Sequence, residues 1–536
     1  MNTVSDALER VLEYHERTKH RLERYAAGPE TLDWDAQPDP FRRFEGAPTI
    51  RLPLAADHLT TPFEALSVPG AVAPHPLSLE SVGIFLELSL GLSAWKEYGP
   101  DRWALRCNPS SGNLHPTEGY IVCRSISDVP DGVYHYVSRD HILEQRCGLP
   151  GTPAPAITPR LLVALSSIHW REAWKYGERA FRYCQLDTGH AVGSLSYAAA
   201  ALGWRLRWVS SVAFAELAAG LGLDRNEDFS GAEREEAELL LEVIAAPGAA
   251  TSDGAEPVPS ENAWRGRANV LDRRPMYRWP VIDEVEKATR PCSPVPESGA
   301  AETYPSRSAV CSEPAARVIR QRRSAQHFDR REVLSAAAFY HLVDALLPRR
   351  IAPWDAWDLT PRVHPVFFVH RVEGIKPGLY ALPRRAAIKP DLQAAFRGEF
   401  SWLKPEGCPE YLPLFRLAEA DCSKLSRTLH CHQAIGADCA FALGMLAEFE
   451  PVISTAPWRY RQLFWESGLL GQVLYLEAEA IGIRGTGIGC YFDDVFHDLL
   501  GLSGRTFQSL YHFTVGFPLT DTRILTLPPY AGRDPS

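Results

Sequence analysis

Four landmarks occur twice along this 536-residue chain, in the same order each time. His115-Pro116 opens HPTEGYIVCRSISDVPDGVYHY and His364-Pro365 opens HPVFFVHRVEGIKPGLYAL, and both read as strand, turn, strand. Arg182-Tyr183 leads into DTGHAVGSLSYAAAALG and Arg459-Tyr460 into ESGLLGQVLYLEAEAIG. Gly189 and Gly203 stand the same 14 positions apart as Gly468 and Gly482, with small and apolar residues at helical spacing between them. A short β-type run follows each, then an amphipathic segment closing on Leu221-Gly222-Leu223 or Leu500-Gly501-Leu502. Chance does not repeat four signals in one order. The chain reads as a tandem duplication of one α+β domain, each copy packing helices around a central, largely antiparallel sheet.

Between the copies, residues 246–316 are enriched in Pro, Ser, Gly and Glu, which is linker composition. The intervening WRGRANVLDRRPMYRWPVIDEVEKA carries Trp and Tyr, so part of the linker is expected to lie against a folded surface. This gives a first domain at 1–245 with an N-terminal helical extension and a second at 317–536. Lys plus Arg number 56 against 66 Asp plus Glu, a net charge of -10 that repels phosphate backbones and argues against nucleic acid as a partner. No run of about 18 apolar residues is available to span a membrane, and the charged N-terminus lacks the apolar core of a secretory signal, so the expected compartment is the cytosol. Eleven scattered cysteines without a C-x-x-C indicate neither a disulfide framework nor a zinc ribbon. The cluster His430-Cys431-His432, with Cys422 and Cys439 on either side, lies in SKLSRTLHCHQAIGADCAFALGMLAEF. That segment reads as one long helix with Cys431 and Cys439 on its buried face, and no metal is expected.

The copies have diverged unequally. Before its His-Pro the first has RCNPSSGNLHPTEGY where the second has only WDLTPRVHPVFF. Pro109-Ser110-Ser111-Gly112-Asn113 is a tight turn, with two hydroxyls and free backbone N–H groups expected to point outward. Asn113 offers an amide donor and acceptor together, the pattern that pairs with the pyrimidine edge of a flavin; an ordinary surface turn is the alternative. Conversely, VIRQRRSAQHFDRREV opens the second copy and nothing like it precedes the helices of the first. Arg322-x-Ser324 is placed close to a helix start, where a guanidinium, a hydroxyl and backbone N–H groups grip phosphate; a solvated basic cluster is the alternative.

R-x-S at the entrance of one copy, P-S-S-x-N before a strand, and a helix ending in L-G before a short Gly-rich run together resemble the nitroreductase superfamily of FMN oxidoreductases. The longer string NPSSGNLHPTEGYIV...GVYHY, with HERTKHRL upstream and WKYGERAFRYCQLDTGHA downstream, is similar to the SagB/ThcOx-type dehydrogenase branch in tandem form. Members are typically intertwined dimers with each FMN at the interface, one subunit supplying R-x-S for the phosphate and ribityl end and the other P-S-S-x-N beside the ring. The resemblance therefore implies Arg322 and Ser324 from the second copy and Pro109, Ser110, Ser111 and Asn113 from the first. These halves complement each other into one site, whereas both halves of the reciprocal site are missing. An intramolecular pseudodimer with one FMN is expected. Where the family often has Lys or Arg two residues after the Ser, this chain has Gln326, so Arg323 or Arg523, the latter at the family's C-terminal basic position, is expected to supply the charge. The turn Gly487-Ile488-Gly489-Cys490-Tyr491 falls where the family presents a backbone N–H to flavin N5, which implicates Gly489 and Cys490; a plain strand-to-helix connection is the alternative.

In HWREAWKYGERAFRY, Lys175, Arg179 and Arg182 fall at i, i+4 and i+7, one face of a helix. The resemblance implies Lys175 and Tyr176 as the acid/base pair, since oxidation by hydride transfer also requires loss of a proton. Arg179 as a cationic neighbour, or desolvation, would lower the lysine pKa; a solvated basic face is the alternative. Glu118 is expected to line the pocket or cap backbone groups, and His190 to be a satisfied core histidine. The expected function is an FMN-dependent dehydrogenase that oxidises an azoline-like ring of a modified peptide, or a related small metabolite. One alternative is NAD(P)H-driven reduction of a nitro compound or quinone; another is a flavin-free scaffold for a biosynthetic complex. The electron partner is NAD(P)H or O2, and partner enzymes of a biosynthetic complex are compatible with this reading.

Overall fold

The computed structural model describes residues 4–150, 158–245, 263–291, 302–356, 359–531 and 533. It contains two large antiparallel sheets flanked by helices, with three smaller sheets beside them, an α+β architecture. The first runs Thr49–Arg51, Ile142–Gly148, Gly132–Val137, Thr117–Arg124, Arg160–Ser167, Glu236–Ile244, Arg205–Trp208. The second runs Phe415–Glu419, Gly378–Ala381, Val363–Val369, Phe441–Glu448, Phe507–Gly516, Arg484–Ile488. Apart from the extra edge strand Thr49–Arg51, the chain visits both sheets in one order. The strand–turn–strand segments after each His-Pro form as the sequence indicates, and each Leu-Gly-Leu ends a helix on a left-handed glycine, Gly222 at φ 70° and Gly501 at φ 78°.

Between the sheets run two 22-residue helices, α1 (Ala180–Ala201) and α2 (Arg459–Ala480), both buried almost all round. Such helices need an apolar or paired environment on every face, and each supplies much of the other's. They cross where their backbones touch. A Cβ on Gly468 would lie 2.1 Å from the Leu186 carbonyl oxygen and 3.0 Å from the Gly189 Cα, and one on Gly189 would lie 2.1 Å from the Trp465 carbonyl oxygen. No side chain fits there.

The ends of the chain exchange places. The amphipathic N-terminal helix Val4–Arg17 reaches the second half through His15, whose ring nitrogens lie 3.2 Å from Gln508 Oε1 and 3.3 Å from the Tyr460 hydroxyl. The C-terminal strand Leu525–Leu527 pairs with Leu92–Tyr98 of the first half. Of the interdomain segment, residues 246–262 and 292–301 lie outside the described residues. Part of the rest is packed: Arg267–Ala268 pairs with Phe44–Glu45, and the helix Pro280–Ala288 buries Ile282 and Val285.

One expectation is corrected. Residues 423–449 do not form a long helix. They form a helix Ser423–Leu429, a turn with Cys431 at φ 52° and His432 at φ 61°, a short helix Ile435–Asp438 and the strand Phe441–Glu448. That strand is central and buried on both faces, so its apolar run shows no alternation, and alternation is the signal that separates strand from buried helix. His430 is buried against the Ser426 carbonyl and His512, and among the described residues no group of three or more His, Cys, Asp or Glu side chains is arranged to hold a metal. No described helix is long and apolar enough to cross a membrane.

Candidate active site

A cavity of about 600 Å³ opens between the two halves. Pro109, Ser110, Ser111 and Asn113 of the first half line it together with Arg322, Arg323, Ser324, Gln326, Gly489 and Cys490 of the second. Residues more than 200 positions apart in sequence thus face one space, and Arg322 Nη2 donates to the Arg106 carbonyl at 3.1 Å across the junction.

The turn that carries the serines is held from below, which differs from the expectation of outward hydroxyls and free N–H groups. The Ser111 N–H lies 3.1 and 3.2 Å from the two Asp187 carboxylate oxygens, and the Ser111 hydroxyl donates to the same carboxylate at 3.1 Å. The Ser110 hydroxyl accepts from the His115 N–H at 2.8 Å. Asp187 projects from the buried helix α1, and a carboxylate there must take donors from whatever covers it. Burial raises its pKa to about 7, against the hydrogen bonds of Ser110 and Ser111. Glu172 behind Ser110 is also raised well above the carboxylate range, by burial and then by Asp187. Asn113 lines the cavity, but Nδ2 donates to the Ala104 carbonyl at 2.9 Å and Oδ1 lies 2.9 Å from His115 Nε2. One amide hydrogen and one lone pair remain for a ligand.

Arg322 does not stand at a helix start. It caps the C-terminus of Ala315–Gln321, its N–H donating to the Val318 carbonyl at 3.1 Å, so no helix N-terminal N–H groups are offered beside it. The helix C-terminus instead favours cations. Arg322 is buried, its guanidinium 5.0 Å from the Tyr475 ring, and no described carboxylate lies within ion-pair distance of Arg322 or Arg323. Burial lowers the Arg322 pKa; Arg323 is lowered to about 10, by burial and then by Arg322. Arg322 Nε and Arg106 Nε, both buried, have no hydrogen-bond partner. Arg322 and Arg323 feel the charge of Glu479 but make no ion pair among the described residues, so their desolvation is incompletely offset, and an anionic group in the cavity would relieve that cost. This donor set fits the phosphate of FMN. Arg523, expected at this end, stands outside the wall: its side chain is 71% exposed and paired with Asp521, two residues back in its own turn. Lys96 and Arg484 occupy the cavity wall instead.

Tyr176 lines the cavity, its hydroxyl packed over Gly112, where a Cβ would come within 2.4 Å of it. Lys175 does not line it. The helix His169–Tyr176 ends at Gly177, φ 55°, and a 3-10 turn intervenes before α1. That break overturns the single face proposed for Lys175, Arg179 and Arg182. Lys175 Nζ lies 5.5 Å from the Trp34 ring centre and 5.4 Å from that of Tyr176, while Arg179 and Arg182 are buried on Asp493 of the second half at 3.2 and 2.9 Å. The Lys175 pKa is lowered by burial, not by Arg179, and the Tyr176 phenol is held well above its usual value by burial. His190 lines the cavity as a histidine satisfied by Tyr511 at 3.1 Å and Gln472 at 3.4 Å, and burial pushes it down to about 3. Glu118 lies off the cavity, bound to His135 and Arg171.

Sequence reasoning missed Asp187, Arg106 and Tyr475. The signal for the first was present, a lone acid within an apolar helical run; nothing local marked the others. The counterpart of the cavity is nearly closed. Trp208 follows Gly189 by the 19 positions at which Gly487 follows Gly468, and with Trp458 and Trp465 it leaves a void of about 40 Å³.

Comparisons with known proteins agree with this geometry. Residues 101–232 match the family model described as the nitroreductase family. The protein named "Putative nitroreductase MJ1384" of Methanocaldococcus jannaschii is 28% identical over 138 residues, 24% of this chain, and the match spans 66% of that protein. A crystal structure of a protein named as a putative nitroreductase from Anabaena variabilis ATCC 29413 superposes with TM-score 0.67 over 95% of this chain and 99% of its own, at 20% identity. That likeness establishes the shared fold over nearly the whole length.

Proposed function

We propose that this chain is an FMN-dependent oxidoreductase with a single flavin site built from both halves. The observation that carries this reading is that the buried Arg322 and the half-buried Arg323, neither of them in an ion pair among the described residues, line one cavity with the Pro109–Asn113 turn. Arg322, Arg323, Ser324 and Gln326 would hold the phosphate and ribityl end, with Lys96 and Arg484 supplying further charge. Pro109, Ser110, Ser111 and Asn113 would lie beside the ring, with Gly489 and Cys490 at its edge. Arg523 would need to leave Asp521 to contribute. Bound there, FMN supplies two-electron hydride chemistry at N5.

What the chain itself adds favours dehydrogenation. Tyr176 presents a protonated phenol to the cavity, and Lys175 lies behind that ring with its pKa lowered. A phenol takes a substrate proton only as it passes its own on, and Lys175, whose lowered pKa favours the free amine, would be the group that receives it, which gives oxidation of a C–N or C–C bond the base it requires. We therefore assign the reaction as dehydrogenation of an azoline-like ring in a modified peptide, or of a related small metabolite, with O2 or NAD(P)H as electron partner and biosynthetic enzymes as candidate associates.

Heat-released flavin from the purified full chain should be FMN at about one per chain, because the counterpart pocket is filled by tryptophan. A protein that stays colourless and cannot be reconstituted would replace this reading with the scaffold. Equal rates in wild type and Tyr176→Phe with NADPH and a quinone, and no oxidation of azoline substrates by either, would replace it with the reductase.

A further inference from the structure

Cys431 and Cys490 are 59 positions apart in sequence and their Sγ atoms are 2.6 Å apart. Each belongs to a constrained element. Cys490 follows the strand Arg484–Ile488 and lines the cavity, with its carbonyl accepting from Gln433 Nε2 at 3.4 Å. Cys431 sits at φ 52° and His432 at φ 61°, successive non-glycine residues in the left-handed region, a conformation costing on the order of 1 kcal/mol or more per residue. His430, locked on the Ser426 carbonyl and on His512, anchors that turn. Both thiols are partly exposed, whereas Cys107, Cys123, Cys184 and Cys439 are buried.

We propose that Cys490 and Cys431 form a peroxide-reactive dithiol at the active-site cavity, Cys490 in its wall as the attacking thiolate and Cys431 behind it as the resolving thiol. Cys490 lies among groups that favour its anion. The hydrogen bond from Cys431 comes first, then His20 and the charge of Arg179, and together they hold its pKa well below the usual thiol value against burial. Cys431 is raised, chiefly by the same hydrogen bond, so the shared proton resides on it. Tyr25, Tyr176, Tyr183 and Asp493 also face the pair. A low-pKa accessible thiolate beside a resolving cysteine is the arrangement that oxidises reversibly.

The electrons balance with a hydroperoxide as the oxidant. The Cys490 thiolate attacks the distal peroxide oxygen: an S–O bond forms, the O–O bond breaks, and the leaving alkoxide or hydroxide takes a proton from solvent. Cys431 sulfur then attacks Cys490 sulfur; the S–S bond forms, the S–O bond breaks, and water leaves with the Cys431 proton. Two thiols are oxidised by two electrons and one hydroperoxide is reduced to an alcohol, or hydrogen peroxide to water. The disulfide would replace an anion in the cavity wall by a neutral bond. The proposal does not rest on the assigned reaction, since the thiols are read directly.

The test treats the full-length protein with about one equivalent of hydrogen peroxide, quenches it by differential alkylation and maps the products by mass spectrometry. A Cys431–Cys490 disulfide should form at least ~10-fold faster than Cys408 is modified, because Cys408, also partly exposed, is pushed up to about 11 by burial. Cys431→Ser should leave a sulfenic acid on Cys490 that dimedone captures, and Cys490→Ser should leave Cys431 unreactive. Both thiols still free in the wild type, or oxidised no faster than Cys408, would overturn the proposal without reference to any variant. Flavin content measured on the same samples keeps this result separate from the functional assignment.

Discussion

Gly189 and Gly468 meet backbone to backbone where the two central helices cross, each occupying the only room the other leaves. The two halves can approach this closely because neither residue has a side chain, and that approach brings the serine turn of one half and the arginines of the other to a common cavity.

Gly468→Val should therefore act on stability first. Its Cβ would lie 2.1 Å from the Leu186 carbonyl, a contact with backbone that cannot rotate away. A loss of at least ~2 kcal/mol is expected, at the upper part of the usual overpacking range, read from chemical denaturation, together with weaker flavin retention. An unchanged midpoint would show that the helices separate freely.

Arg322→Met should move stability and binding in opposite directions. Removing a buried cation that makes no ion pair among the described residues relieves desolvation, so the apo protein should hold or gain stability. FMN should bind about ten- to a hundredfold more weakly, corresponding to ~1.5–3 kcal/mol for a charge-assisted contact. Fluorescence titration measures the second and thermal melting of apo protein the first. Undiminished affinity would place the phosphate elsewhere.

Asp187 gives a pH signature. Its folded pKa of about 7 lies above the unfolded value of about 4, so the folded state binds the extra proton between them. The associated stability is fully present below about pH 4 and is lost as pH rises to about 7, after which it is flat. Asp187→Asn keeps an acceptor for Ser111 and cannot ionise, so relative to wild type it should gain stability across that window. Denaturation of apo protein from pH 4.5 to 8 measures the difference. A difference independent of pH would remove Asp187 as its source.

Tyr176→Phe should leave flavin bound and lower turnover of the azoline substrate by ~10² to 10⁴, the usual worth of a positioned acid or base. Lys175→Ala should cost less, because Lys175 stands behind the tyrosine ring rather than in the wall. Steady-state rates with flavin content measured in parallel decide it. Equal losses in both variants would put the proton on Lys175.

The order of the landmarks, by itself, determined the fold. Strand pairs after each His-Pro, a long glycine-punctuated helix, a short strand and a helix ending on glycine are local patterns, written in hydrophobic period and turn chemistry. A chain that repeats them builds two sheets in one order. The complementary survival of Arg322-x-Ser324 and Pro109 to Asn113 was legible for the same reason, as a difference between two copies. What only the tertiary structure decided depends on partners distant in sequence. Phe441–Glu448 is a strand because neighbours cover both its faces, and burial on both faces erases the alternation that would have announced it. Lys175 and Arg179 part company because Gly177 turns the chain left-handed, and Arg179 then finds Asp493, 314 positions away. Ser111 spends its donors on Asp187 because a carboxylate buried in α1 must be satisfied by whatever covers it. Cys431 meets Cys490 because the turn after Ser423–Leu429 packs against the residues that follow the strand Arg484–Ile488. For the strand and for Asp187 the deciding energy is desolvation, and a residue's neighbours in sequence do not reveal which distant groups will exclude water from it.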